Sequence, residues 1–95
     1  MENDSVEIRR SIIDACRRMA PMGISHGTSG NISVRQGERL LITPSGIPYD
    51  RMSQRDIVSM DFDGNWQGEL APSSEWRFHL DLMKSREDVN AVVHG

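Results

Sequence analysis

A chain of 95 residues has room for one small domain, and its 11 basic and 14 acidic side chains give a formal net charge of −3. That balance gives no reason to expect a nucleic-acid partner, and no apolar run is long enough to span a membrane. The polar, acidic first residues are unlike a secretory signal, and a single cysteine cannot form an intrachain disulfide, so we expect a reduced, cytoplasmic protein.

The first predicted element is a helix close to the N-terminus. Its apolar side chains recur at helical spacing: Val6, Ile12, Ile13, Cys16, Met19 and Ala20. Asp4 with Glu7, or Ser5 alone, is a candidate cap, and Pro21 and Gly23 are predicted to end the helix. A thiol on the apolar face is typical of a core residue rather than of a nucleophile.

A β-hairpin is predicted next, from two β-like runs at residues 32–35 and 40–43 joined by residues 36–38. A loop with two prolines around Gly46 follows, and Ser53 is a candidate cap for one turn at residues 54–56. Residues 57–61 are predicted to form a strand, and Asp63 with Gly64 to form a turn.

A second helix is predicted to open at residues 72–75 and to run to about Lys84, with Phe78 and Leu82 facing inward. Trp76 or Met83 is a further candidate for the inner face. The apolar run at residues 91–94 predicts another strand. Helices outside a largely antiparallel sheet predict an α/β fold, whose strand order the sequence leaves open.

Three segments have the composition of an anion site: residues 27–31, Ser45 with Gly46, and Ser73 with Ser74. Glycine lets the backbone approach an oxyanion, and hydroxyl, amide and helix N-terminal N–H groups donate to it. Each segment alone is more typical of a polar turn or a helix cap. Together, next to strand ends and a helix start, they predict loops that converge on one phosphate.

Glu75 and His94 are the candidates for chemistry. A carboxylate in a first helical turn commonly interacts with the helix dipole, but it can act as a general acid or base when a substrate is in reach. A histidine at the end of a strand is a candidate zinc ligand, although a lone histidine is more often a polar residue at a sheet edge. His79 lies four residues after Glu75, a spacing that allows chelation but is more typical of ordinary neighbours or an interior histidine.

Four blocks of sequence, in this order and separation, resemble the class II aldolase/adducin head family, and within it the fuculose-phosphate aldolases. The blocks are residues 27–35, 42–49, 72–79 and 90–94. The resemblance covers nearly the whole chain, which is interpreted as the N-terminal portion of one such domain. It implies a three-layer α/β/α fold around a mostly antiparallel sheet, incomplete in this chain, and typically a homotetramer with active sites between subunits.

The resemblance also implies the roles of individual residues. Six residues would hold the substrate phosphate: Gly30, Asn31, Ser45, Gly46, Ser73 and Ser74. Glu75 would be the catalytic acid/base that also approaches the metal, and His94 would be the first zinc-binding histidine. The implied reaction is zinc-dependent cleavage of a ketose 1-phosphate, such as L-fuculose 1-phosphate, to dihydroxyacetone phosphate and a short aldehyde, L-lactaldehyde.

Alternatives remain within the same family. A methylthioribulose-phosphate dehydratase or a sugar-acid phosphate decarboxylase would share these motifs, and an adducin-like module would keep the fold without catalysis. The family pattern continues His94 with a second histidine two residues on and a third much later, and this sequence stops at Gly95. The chain as given is therefore expected to be inactive, because its zinc site would be incomplete.

Overall fold

The computed structural model describes residues 3–19 and 30–94, the first three of these by their backbone alone. Two helices and four strands occur in the order α1, β1, β2, β3, α2 and β4. Their bounds are Asn3–Met19, Asn31–Gln36, Arg39–Ile42, Val58–Asp61, Trp76–Ser85 and Ala91–His94. Two single turns of 3-10 helix, Tyr49–Arg51 and Gln54–Asp56, precede β3.

The four strands form one antiparallel sheet in the order β3-β2-β1-β4. The predicted hairpin is β1 and β2, in which Gln36 pairs with Arg39 across a two-residue turn. Gly37 supplies the positive φ of 59° that such a turn requires. Strand β4 then pairs with the other side of β1, so the last described strand lies at an edge of the sheet.

The sheet is covered on both faces, which confirms the three-layer α/β/α prediction. The apolar side of α1, including Ile12 and Cys16, packs with Ile32 and Leu41. The apolar side of α2 packs on the opposite face, where Leu80 and Met83 join Leu40, Ile42 and Met60. Successive residues of β2 alternate between the two clusters, as the two-residue period of a strand requires.

The second helix differs from its prediction in two respects. It begins at Trp76, and Glu75 occupies the flanking N-cap position rather than the first turn. Ser73 Oγ accepts from the Glu75 backbone N–H at 3.3 Å, so the serine organises the approach to the helix. Phe78 was predicted to face inward and is 49% exposed, because the helix turns His79, Leu80 and Met83 toward the sheet instead.

Arg35 fixes the position of α2 and β4 relative to β1. Its guanidinium donates to the carbonyl oxygens of Met83 at 2.6 Å and Val89 at 3.0 Å, and its backbone N–H donates to Asn90 at 2.7 Å. The contact with Met83 places positive charge at the C-terminal turn of α2, where the helix dipole favours it. The end of the helix and the start of the last strand are thereby held to the centre of the sheet.

Several local predictions are confirmed. The Ser53 backbone N–H donates to Asp56 at 2.8 Å across the predicted single turn, and Asp63 and Gly64 form the turn after β3. Cys16 is buried, and burial raises the pKa of its thiol to about 11. The predicted cap at Asp4 or Ser5, the helix end at Pro21 and Gly23, and the loop at residues 27–29 lie outside the described residues or side chains. Neither described helix is long and apolar enough to cross a membrane.

Candidate active site

The start of β1 and the ends of β2 and β4 lie together at one end of the sheet. Strand β1 begins at Asn31, directly opposite His94 at the end of β4. Strand β2 ends at Ile42, opposite Ser33, so its continuation runs past the same end of β1. Antiparallel pairing therefore places the start of one strand beside the ends of both its neighbours.

Backbone hydrogen bonds hold the start of α2 at this end of the sheet. The Ser73 N–H donates to the Thr43 carbonyl at 2.8 Å, and the Ser45 N–H donates to Ala71 at 3.0 Å. The Thr43 hydroxyl accepts from the Ile32 N–H at 3.3 Å and so joins the same segment to β1. The loop after β2 and the loop before α2 are thus adjacent, and both are adjacent to the start of β1.

The described parts of all three predicted phosphate loops lie at this end of the sheet. Gly30 and Asn31 are buried at the start of β1, and Ser73, whose N–H donates to Thr43, is buried at 8% exposure. Three members are exposed to solvent: Ser45, Gly46 and Ser74. Gly46 has φ of 78°, a backbone conformation that L side chains rarely adopt, and a Cβ there would meet nothing within 4 Å. That these groups bind phosphate remains a prediction.

The Glu75 carboxylate lies between the start of β1 and the end of β4. Its Oε2 accepts from Asn31 Nδ2 at 2.8 Å and contacts His94 Nδ1. The hydrogen bond from Asn31, followed by that from His94, holds the pKa of Glu75 below its usual value. The side chain is 42% exposed, so the charged carboxylate reaches solvent at this end of the sheet. Both contacts involve Oε2, and Oε1 takes part in neither.

His94 is oriented by this carboxylate. An ionised Glu75 only accepts hydrogen bonds, so the contacting Nδ1 of His94 is the donor and a neutral ring keeps its lone pair on Nε2. The Phe78 ring lies 4.9 Å from the His94 ring, centroid to centroid, and covers one of its faces. A histidine whose one ring nitrogen donates to a carboxylate is the usual arrangement of a metal-binding imidazole.

The donor set fits part of a zinc site. Imidazole nitrogen and carboxylate oxygen are both zinc ligands, and catalytic sites use three protein ligands. Within residues 3–19 and 30–94, no group of three or more His, Cys, Asp or Glu side chains could hold a metal ion. His94 and Glu75 therefore supply at most two positions among the described residues.

His79 belongs to the same cluster, as the interior histidine that the sequence left open as an alternative to chelation. The side chain is fully buried, with Nδ1 at 2.6 Å from Ser33 Oγ and Nε2 in contact with Asn31 Oδ1. Burial, followed by the charge of His94, lowers its pKa to about 4, while Glu75 acts in the opposite direction. The four-residue spacing from Glu75 was the available signal, and Asn31 is the residue that contacts both side chains.

Comparison with known proteins matches most of the chain to the family that the four sequence blocks resemble. The sequence model of the family described as the class II aldolase and adducin N-terminal domain matches residues 10–95. The chain is 48% identical to a 5-methylthioribulose-1-phosphate/5-deoxyribulose-1-phosphate aldolase of Rhodospirillum rubrum over 94 residues, which cover 99% of this chain and 42% of that protein. It is also 48% identical to the L-fuculose phosphate aldolase of Escherichia coli K12 over 89 residues, covering 94% of this chain and 41% of that protein.

Solved structures share the fold. An L-fuculose 1-phosphate aldolase superposes with a TM-score of 0.89 at 35% identity, over all of this chain and 45% of that one. An L-fuculose-1-phosphate aldolase from Thermus thermophilus superposes with a TM-score of 0.76 at 22% identity, over 98% of this chain and 46% of that one, and shows a likeness of fold alone. The chain thus spans less than half the length of these similar proteins.

Proposed function

The chain belongs to the class II aldolase and adducin N-terminal family, and from that premise we propose that it forms the N-terminal portion of a single-domain sugar-phosphate aldolase. The observation that supports the proposal is the Glu75 carboxylate, which Asn31 and His94 contact at the end of the sheet where the described parts of the three predicted phosphate loops lie. The proposed reaction is aldol cleavage of a ketose 1-phosphate, with L-fuculose 1-phosphate as the first candidate.

The loops would bind the phosphate of the substrate. Gly30, Asn31, Ser45, Gly46, Ser73 and Ser74 are the proposed contacts. Hydroxyl and backbone N–H donors from three segments would fix the phosphate against rotation as well as translation. Binding energy from the phosphate would then serve to position the carbon skeleton beside Glu75, because a fixed geometry removes much of the entropic part of a barrier.

Glu75 would move the proton at the reacting carbon. In cleavage, a base takes the hydroxyl proton of the half that leaves as the aldehyde, and the carbon left on the phosphate-bearing half gains one proton to become dihydroxyacetone phosphate. The carboxylate is held through Oε2, so Oε1 is the oxygen that can exchange this proton. The aldehyde that leaves from fuculose phosphate would be L-lactaldehyde.

Zinc is the proposed metal, with His94 as a ligand and Glu75 as a group that can approach it. A bound zinc ion would supply a Lewis acid that polarises the oxygens next to the bond that breaks. The remaining ligands would come from residues outside the described ranges. The full-length protein would be a cytoplasmic homotetramer whose active sites lie between subunits.

A second substrate class is favoured by a specific observation. The identity to the methylthioribulose/deoxyribulose phosphate aldolase equals the identity to the fuculose phosphate aldolase, at 48%. The described loops would bind the phosphate end that all these ketose 1-phosphates share. The aldehyde half, where the sugars differ, would lie away from these loops, so the aldehyde released identifies the substrate.

The test is Glu75→Gln in the protein made from its full reading frame, with the exposed Glu87→Gln as matched control. The wild type should cleave fuculose 1-phosphate or 5-deoxyribulose 1-phosphate with release of dihydroxyacetone phosphate. Glu75→Gln should lower kcat by about 100-fold or more and leave bound zinc and inorganic phosphate affinity nearly unchanged. Glu87→Gln should match the wild type in all three measurements.

Two results would contradict the proposal. A zinc-loaded wild type that releases no aldehyde from either sugar phosphate would exclude the aldolase and favour another activity of the family, a dehydratase or decarboxylase. A protein that binds neither zinc nor phosphate would favour the adducin-like, non-catalytic alternative. Full activity in Glu75→Gln would remove Glu75 from the mechanism and leave the reaction class standing.

A further inference from the structure

The buried hydrogen bonds behind Glu75 have one consistent direction. An ionised Glu75 requires a donor from Asn31, so the NH2 group of the amide faces the carboxylate at 2.8 Å. The amide oxygen must then face His79, whose Nε2 consequently carries the proton. A neutral ring has one donor and one acceptor nitrogen, so Nδ1 accepts from the Ser33 hydroxyl at 2.6 Å.

We propose that His79 and Ser33 are positioning residues for the aldolase reaction, because the Nε2–H tautomer of His79 prevents the Asn31 amide from turning over. In the opposite orientation, the amide oxygen would face the Glu75 carboxylate, and two acceptors would meet without a proton between them. The NH2 group carries two hydrogens, of which Glu75 takes one. The other is directed away from that contact and can donate to the substrate phosphate in the proposed site.

Burial makes this device stiff. Asn31 is 3% exposed, Ser33 is fully buried and His79 is fully buried, so water does not replace any of the three partners at low cost. Ser33 and Asn31 lie on the same face of β1, two residues apart, and His79 spans them from the first turns of α2. The strand and the helix therefore fix the ring from two sides, and the ring fixes the amide.

The inference rests on the proposed function for its effect on catalysis, and on hydrogen-bond direction for its structural part. A histidine with a purely structural role would need only to fill its site and satisfy its neighbours. A positioning residue must place an N–H at the Nε2 position. Glutamine reaches that position with its terminal amide, whereas asparagine reaches only the Nδ1 position, so these two variants separate the roles.

The experiment compares His79→Gln, His79→Asn and His79→Leu in the zinc-loaded protein made from its full reading frame. We expect kcat for sugar-phosphate cleavage to fall about 10- to 100-fold in the Asn and Leu variants, with a smaller change in KM and unchanged zinc content. His79→Gln should recover most of that loss. Equal kcat in the Gln and Asn variants, or wild-type kcat in a folded Leu variant, would overturn the proposal. If the Leu variant does not fold, the Gln and Asn pair decides.

Nuclear magnetic resonance of histidine labelled with ¹⁵N gives a readout that needs no turnover. The wild-type spectrum should show His79 with a protonated Nε2 and an unprotonated Nδ1, and Ser33→Ala should shift the Nδ1 resonance by removing its hydrogen-bond donor. A protonated Nδ1 in the wild type would overturn the proposal even if the enzyme is an active aldolase. The expected tautomer in a protein without aldolase activity would support the positioning of Asn31 while the proposed function fails.

Discussion

At the scale of single residues, the Asn31 amide joins an acidic side chain to a basic one. Its NH2 group donates to Glu75 and its oxygen contacts His79, and the same residue is a predicted phosphate ligand. The sequence predicted roles for Asn31 and Glu75 as separate site residues. It did not indicate the bond between them, because residues 44 positions apart meet only through the placement of α2 on the sheet.

Acid stability should depend on His79. Its pKa is about 4 in the folded protein and about 6.5 when unfolded, so between these values the unfolded chain binds more protons. The stability that His79 confers is complete above about pH 6.5 and is lost as the pH falls toward 4, by up to about 3 kcal/mol. Other ionisable side chains, Glu75 among them, lie next to this cluster, so the comparison must remove His79 alone.

Urea unfolding of the metal-free protein and its His79→Gln variant, at pH 7 and pH 4.5, measures this dependence. The wild type should lose more free energy of unfolding between the two pH values than the variant. Equal losses would mean that the histidine is not neutral and buried as described, since every other titrating group is common to both proteins.

At the scale of elements, local signals were sufficient where the cause is local. The hairpin, the Ser53 turn and strand β4 follow from turn residues, a capping side chain and an apolar run. The rotation of α2 did not follow, because Phe78 and His79 differ in burial through contacts with the sheet. A histidine that is fully buried by two distant partners has no sequence pattern of its own.

Arg35 should stabilise the fold through its fork of donors. Arg35→Lys keeps the charge but cannot reach the carbonyls of Met83 and Val89 together, so we expect a loss of about 2 kcal/mol in the free energy of unfolding. Arg39→Lys is the matched control, because Arg39 is exposed and bonds only to Ser59 in the described structure. Its loss should stay below about 0.5 kcal/mol in the same urea titration.

At the scale of the whole molecule, the order of helices and strands predicted an α/β fold with helices outside an antiparallel sheet, and the family resemblance implied its three layers. The order β3-β2-β1-β4 was not, because antiparallel strands of similar composition can be arranged in several ways. Among the described residues, no strand pairs with the outer edge of β4, and Val93 on that strand is 59% exposed. An open strand edge beside an exposed valine is prone to pair with another chain.

The 95-residue chain made alone should therefore associate as its concentration rises and unfold with poor cooperativity. It should also show no aldolase activity, because its described residues supply at most two zinc ligands. Sedimentation velocity should show that Val93→Lys reduces the association, whereas Ser85→Lys, which adds the same charge at an exposed position of α2, does not. Turnover by the purified 95-residue chain at a rate that a chelator abolishes would refute the expected inactivity. A monodisperse monomer at high concentration would refute the expected association.

The pairing of Asn31 with His94 also determines when the proposed site can form during synthesis. Asn31 is the first residue of the described sheet and His94 is the last, and Glu75 contacts both of them. During synthesis, the hairpin and α2 leave the ribosome before β4, so the proposed site does not exist until the last described strand has docked. A substrate or metal that binds at the proposed site would bind only molecules in which β4 has docked, and it would stabilise that docked state.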